Sequence, residues 1–199
     1  SPDATEAMER RLTYAYRVGA RYLATKSAPE SRRPLFVENM RRVADIASDL
    51  NVMVLLENPS DASRDVVDDG PTGAAFLAEL ALPNVAFNYD FGNLMSHLQG
   101  RARPEEDCLA ALPFCVHLHI KDVCRTGDGW AHTVIGQGDI DYRSILGILS
   151  GLEDRPYLSI EMPTRLIRKP DGTPLPPLPP MPFGEIEWML RESVAFLQG

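Results

Sequence analysis

Cysteine is scarce in this chain: three in 199 residues, Cys108, Cys115 and Cys124, spaced by 7 and 9 positions. An odd number at those intervals matches neither a zinc pair nor a disulfide framework, so a reducing compartment is expected. Basic charge is also in short supply. Twenty Lys and Arg against 28 Asp and Glu leave a formal charge of −8, and an acidic body repels the phosphate backbone of nucleic acid. Nucleic acid is therefore set aside as a partner. No apolar run approaches the roughly 18 residues that a membrane span requires. The opening residues Ser1-Pro2-Asp3-Ala4-Thr5-Glu6 carry neither a basic n-region nor an apolar h-region. Neither membrane nor secretion is expected, and the cytoplasm is the expected location. What is present is a body 44% apolar by count, the composition of a globular domain rather than a disordered chain.

Apolar residues recur at helical steps in several stretches. Met8, Leu12, Ala15 and Gly19 mark a first helix over 4–18, which Gly19 ends. Pro34 opens a second, along Phe36, Met40, Val43, Ala47 and Leu50. Further helices are predicted over 72–82, 104–112 and 185–197, and Asp141 caps another through Ile145, Ile148 and Leu152. Between them lie short apolar runs at 21–25, 52–59, 85–90, 115–120 and 157–161. The second, opening Val52-Met53-Val54-Leu55-Leu56, shows no polar alternation, as in a strand covered on both faces. Helices alternating with strands demand a parallel sheet with right-handed crossovers. The fold class is α/β, in a single domain over 1–199. An eight-stranded TIM-type (β/α) barrel typically takes about 250 residues, and this chain is about 50 short.

Four successive strands end in a potential metal ligand: Glu57, Asp90, His119 and Glu161. In barrel enzymes the active groups sit at the carboxyl ends of the strands, so one donor per strand end converges on one spot. Alone, each acid reads equally as a helix cap or a surface group; the set of four is what points to a site. Three carboxylates and one imidazole make a hard shell that suits one Mn²⁺, Mg²⁺ or Co²⁺, with Zn²⁺ also admissible. His117 shares a strand face with His119 by the two-residue period and reads as its hydrogen-bonded neighbour.

These motifs resemble the xylose isomerase-like TIM barrels, which include sugar phosphate isomerases and epimerases of the tagatose 3-epimerase type. The resemblance rests on Leu55-Leu56-Glu57-Asn58, on Asn88-Tyr89-Asp90-Phe91-Gly92-Asn93, and on Val116-His117-Leu118-His119-Ile120-Lys121-Asp122. It also rests on Gly136-Gln137-Gly138-Asp139-Ile140-Asp141-Tyr142, running on to Ser159-Ile160-Glu161. In order and spacing they are similar to the ends of strands five to eight, which makes the chain a partial barrel containing strands four to eight. The resemblance implies a single divalent cation on Glu57, Asp90, His119 and Glu161. It further implies proton abstraction beside a sugar carbonyl through a metal-stabilised enediolate, with Glu57 and Glu161 as the acid and base. Arg125 resembles the arginine with which the epimerases hold substrate, and His117 and Asn93 are expected beside it. The family's epimerases carry a histidine three residues after the aspartate; Asn93 stands there, with His97 a helical turn further on. Five strands leave open edges, so the chain is expected to be a fragment or to complete its sheet with a second copy.

Two further segments have ordinary readings. Gly136-x-Gly138 reads as a tight turn before the Asp141 cap, with a phosphate cradle as the alternative. The stretch 169–182, with seven prolines spaced as in a polyproline ligand, reads as a stiff loop at the pocket rim. The expected function is a metal-dependent isomerase or epimerase on a sugar-like small molecule. A dehydratase of the inosose type and a noncatalytic truncated barrel are the alternatives. An abasic-site endonuclease shares the fold, but it calls for more than the four histidines present and for a cationic track.

Overall fold

A computed structural model describes residues 2–199. The elements run α1 (Pro2–Arg17), β1 (Tyr22–Lys26), α2 (Arg33–Asp49), β2 (Met53–Glu57), α3 (Gly70–Leu80), β3 (Val85–Asp90), α4 (Phe91–His97) and α5 (Pro104–Ala111). They continue with β4 (Cys115–Ile120), β5 (Asp122–Thr126), β6 (Gly129–Thr133), α6 (Tyr142–Ser150), β7 (Tyr157–Ile160), β8 (Ile167–Arg168) and α7 (Phe183–Gln198). Five parallel strands pair in the order β1-β2-β3-β4-β7: the parallel sheet expected from the alternation of helix and strand, curled into the partial barrel that the resemblance implies. The opening ring of β1 and that of β7, Tyr22 and Tyr157, lie 5.8 Å apart, so the two edges approach at their amino ends although no ladder joins them.

Local chemistry explains the main boundaries. Asp69 and Thr72 form a reciprocal capping box at the start of α3. Asp141 caps α6 as predicted, accepting from Ser144 N at 3.1 Å. The core lies between the sheet and its covering helices, where Phe87, Tyr89, Phe91 and Tyr142 meet edge to face at 5.7, 5.1 and 5.7 Å. No helix among the described residues is long and apolar enough to cross a membrane.

Two parts of the architecture depart from the predicted elements. The chain enters α4 directly from β3, because the side chain of Asp90 caps that helix. Residues 122–133 and 167–168 form a second sheet, antiparallel, in the order β5-β6-β8. It arises where short strands sit inside stretches that carry no helical or strand-like period long enough to read. This flap lies over the carboxyl ends of the barrel strands.

Candidate metal centre

The register of the parallel sheet brings the four strand-end groups together. Phe87 pairs with Cys115, yet Asn88 pairs with His117 and Asp90 with His119, so a bulge sits between Phe87 and Asn88. Without that shift Asp90 would lie beside Leu118 and the imidazole would belong to the next position along. The bulge turns Asn88, Asp90, His117 and His119 onto one face. One donor atom from each of Glu57, Asp90, His119 and Glu161 then lies within 4.8 Å of the others.

His119 stands at the middle of the group. Its Nδ1 is 2.6 Å from Glu57 Oε1, 3.3 Å from Glu161 Oε2 and 3.6 Å from Asp90 Oδ2. Burial lowers its proton affinity, but hydrogen bonds and charge from Asp90 and Glu57 outweigh burial and push its pKa up to about 10. Asp90 is fully buried. Its Oδ1 accepts the Asn93 backbone N–H at 2.8 Å. Its Oδ2 accepts no well-directed hydrogen bond and is left to the Lys121 ammonium 2.8 Å away. Oδ1 thus serves as the helix cap, and Oδ2 is the oxygen that faces the cluster. Burial alone would raise its carboxyl, yet the nearby Lys121 ammonium, the His119 ring and the Asn93 N–H hold it well below the usual carboxylate range.

Lys121 is a site residue that sequence reasoning missed. Its Nζ also lies 2.7 Å from Glu161 Oε2 and 3.0 Å from Asn93 Oδ1. Burial lowers its pKa, while the charges of Asp90 and Glu161 raise it by more. The signal was present: Lys121 follows His119 by two, and the strand period keeps both on one side. Its backbone is held by Tyr142, whose hydroxyl accepts from Lys121 N and donates to Lys121 O, both at 2.9 Å. Asp122 accepts backbone N–H groups of Gly136 at 2.9 Å and Gly138 at 3.0 Å. Those amides anchor the turn to the strand end and are not free to cradle a phosphate.

Beneath the cluster, Asn88 links the ring of His117, at 2.7 Å, to the site through an Nδ2 that lies 3.2 Å from His119 Nδ1. His117 Nε2 meets Ser159 Oγ at 3.1 Å, so His117 supports the site from within the barrel, with both ring nitrogens engaged. Asn93 lines the cavity above the cluster and donates to Asn58 O at 3.0 Å. Arg125 is not brought in: it is exposed on β5, 6.0 Å over the Trp130 ring, and does not line the cavity. His97 is buried away from it, bound to the carbonyl of Asp61 and 3.6 Å from Asp68 Oδ1.

The cavity, about 170 Å³, has Glu57, Glu161 and Asn93 at its floor and Trp130, His132 and Arg168 from the flap above. Pro163, Leu166 and Arg168, which precede the proline-rich segment, line the cavity. The donor set fits a divalent cation. Oxygens and nitrogens bound at about 2.1 Å to one ion lie at most about 4.2 Å apart, so the observed cluster closes with shifts of about half an ångström. The protonated His119 and the Lys121 ammonium supply positive charge to the same carboxylates.

The fold and cluster agree with the comparisons. The sequence profile of the xylose isomerase-like TIM barrels matches residues 2–190, and the chain belongs to that family. No curated protein matches it. Among solved structures it is similar to the D-psicose 3-epimerase of Clostridium cellulolyticum H10, crystallised with D-tagatose, at 18% identity and a TM-score of 0.72, over 99% of this chain and 69% of that one. A xylose isomerase-like TIM barrel protein from Mycobacterium smegmatis, in complex with magnesium, aligns at 18% identity and 0.70, over 98% and 68%. The probable 3-DHS dehydratase AsbF of Bacillus anthracis aligns at 19% and 0.62, over 78% and 62%. The chain thus spans about three fifths to two thirds of the length of these proteins, in keeping with a partial barrel.

Proposed function

We propose that this chain carries a divalent-metal site at which a proton is removed next to the carbonyl of a sugar-like substrate, giving isomerase or epimerase activity. The observation that carries this reading is the convergence of Glu57, Asp90, His119 and Glu161 within 4.8 Å at the floor of a cavity that admits a small molecule. Bound there, a divalent cation supplies Lewis acidity that stabilises the negative charge created by proton loss.

Exposure divides the work among the carboxylates. Asp90 is shut off from the cavity, with a side chain 0% exposed, whereas Glu57 and Glu161 retain 16% and 44%. A general base must reach the proton it takes, so Glu57 and Glu161 exchange protons with the substrate and Asp90 only holds its place. Lys121, whose three N–H groups meet Asp90, Glu161 and Asn93, balances the charge of the carboxylates. A dehydratase reading draws on the likeness to the Bacillus anthracis dehydratase.

Metal analysis of the purified chain, followed by ketose screening for solvent deuterium incorporation, tests the proposal. Metal-dependent exchange without mass loss supports the isomerase or epimerase. Loss of water from the product selects the dehydratase. Exchange that survives complete chelation overturns the metal reading.

A further inference from the structure

Among the described residues, three buried side-chain polar atoms lack a hydrogen-bond partner: Asp90 Oδ2, His132 Nδ1 and Arg168 Nε. The first belongs to the ligand cluster. The other two belong to the flap and line the same cavity. Buried polar atoms are satisfied in the great majority of cases, and an exception asks for a cause.

Arg168 is only half satisfied. One of its terminal nitrogens donates to Ser60 Oγ at 2.8 Å and the other to Gly172 O at 3.3 Å. Both acceptors are neutral, and no carboxylate pairs with the guanidinium among the described residues. Asp61 feels the charges of Lys26 and Arg168, but the Ser63 backbone N–H engages it at 3.1 Å and it does not line the cavity. Arg168 pairs across the flap with Trp130, and His132 lies two residues further along the same strand, so all three side chains share the face turned to the site. Burial and the charges of Lys121 and Arg168 hold His132 neutral, with a pKa lowered to about 4; a neutral imidazole brings a hydrogen bond without a second charge. Lys26 stands at the same rim.

We infer that Arg168 and His132 form an anion subsite in the roof of the cavity, and that the substrate is a sugar-like molecule bearing a carboxylate or a phosphate at the end remote from the reacting carbonyl. A planar fork of N–H donors suits either group, and an arriving anion would satisfy both orphaned flap atoms at once. The inference rests on the proposed metal-dependent reaction for the orientation of the substrate, but the subsite itself involves none of the four ligands.

The test is a calorimetric titration of the full chain with three probes that share the D-fructose configuration and differ only at C6: D-fructose, D-fructuronate and D-fructose 6-phosphate. At least one anionic probe is expected to bind about tenfold or more tightly than D-fructose, the scale of a charge-assisted pair. The larger advantage identifies carboxylate or phosphate as the natural group. Arg168→Ala should erase the advantage, so that the anionic probes bind no more tightly than D-fructose, while Arg168→Lys, which keeps the charge, should retain part of it. Equal binding of all three probes, no binding of either anion, or an equal loss for all three in Arg168→Ala would overturn the subsite. Repeating the titration with inorganic phosphate on chelator-treated protein separates the two proposals. Loss of metal dependence leaves the phosphate response standing, and loss of the phosphate response leaves metal content untouched.

Discussion

Proton competition at His119 is the most direct consequence of the cluster. A cation at that site requires the imidazole to be deprotonated. In the metal-free chain three carboxylates share the Nδ1 proton, at 2.6, 3.3 and 3.6 Å, and hold it up to about pH 10. Apparent metal affinity should therefore rise about tenfold per pH unit throughout the neutral range. From about pH 6 to about pH 8 that amounts to about a hundredfold, or about 2.7 kcal/mol. Titration of Mn²⁺ into the chelated chain, in buffers of different ionisation enthalpy, should also register close to one proton released per ion. His119→Ala should bind more weakly and lose this pH slope. The stability of the metal-free chain moves in the opposite direction. His119 holds its proton more tightly when folded, so its contribution is fully present below the ordinary value of 6.5 and is lost as pH rises through about 10. A flat affinity profile with no proton release would refute the placement of His119 in the shell.

Further predictions concern the surrounding residues. Glu57→Gln and Glu161→Gln should each lower solvent deuterium incorporation by about two to four orders of magnitude while sugar binding stays measurable; wild-type rates in both would discard the assignment. Tyr142→Phe strands the buried N–H and C=O of Lys121, a loss of about 2 to 4 kcal/mol, readable as a lowered urea midpoint at constant slope; a shift below about 0.5 kcal/mol would mean that water replaces the hydroxyl. Gly92 packs against Lys121 so closely that an added Cβ would meet its backbone oxygen and Cγ at 2.8 Å. Gly92→Ala should therefore cost about 1 to 3 kcal/mol and weaken metal binding by displacing Lys121. Unaltered stability and unaltered metal affinity in that variant would show that the strand end tolerates displacement.

The barrel strands were legible because each is a short apolar run bounded by turn residues, and the ligand set was legible because a parallel sheet gathers its strand ends. Glu57, Asp90, His119 and Glu161 needed only the order of the strands to be grouped. The bulge between Phe87 and Asn88, which aligns Asp90 with His119, has no signature in composition. The flap was hidden for a different reason. β8 has two residues, and β5 and β6 five each, too few to display a period, and their pairing joins Trp130 to Arg168 across nearly forty positions of chain. Arg125 drew attention by its distance from His119 along the sequence. The basic group that reaches the cavity from the flap is Arg168, one residue before the proline-rich segment. Lys121 could have been found by carrying the two-residue alternation one step past the strand.

Floor and roof come from separate sheets, joined in sequence where Lys121 runs into Asp122. Altering Trp130, His132 or Arg168 disturbs no ligand and no rung of the parallel ladder. On the proposed function, a chain built in this way can drift from one substrate to another through its canopy while its carboxylate cluster stays intact. Selection experiments aimed at new specificity would do well to begin there.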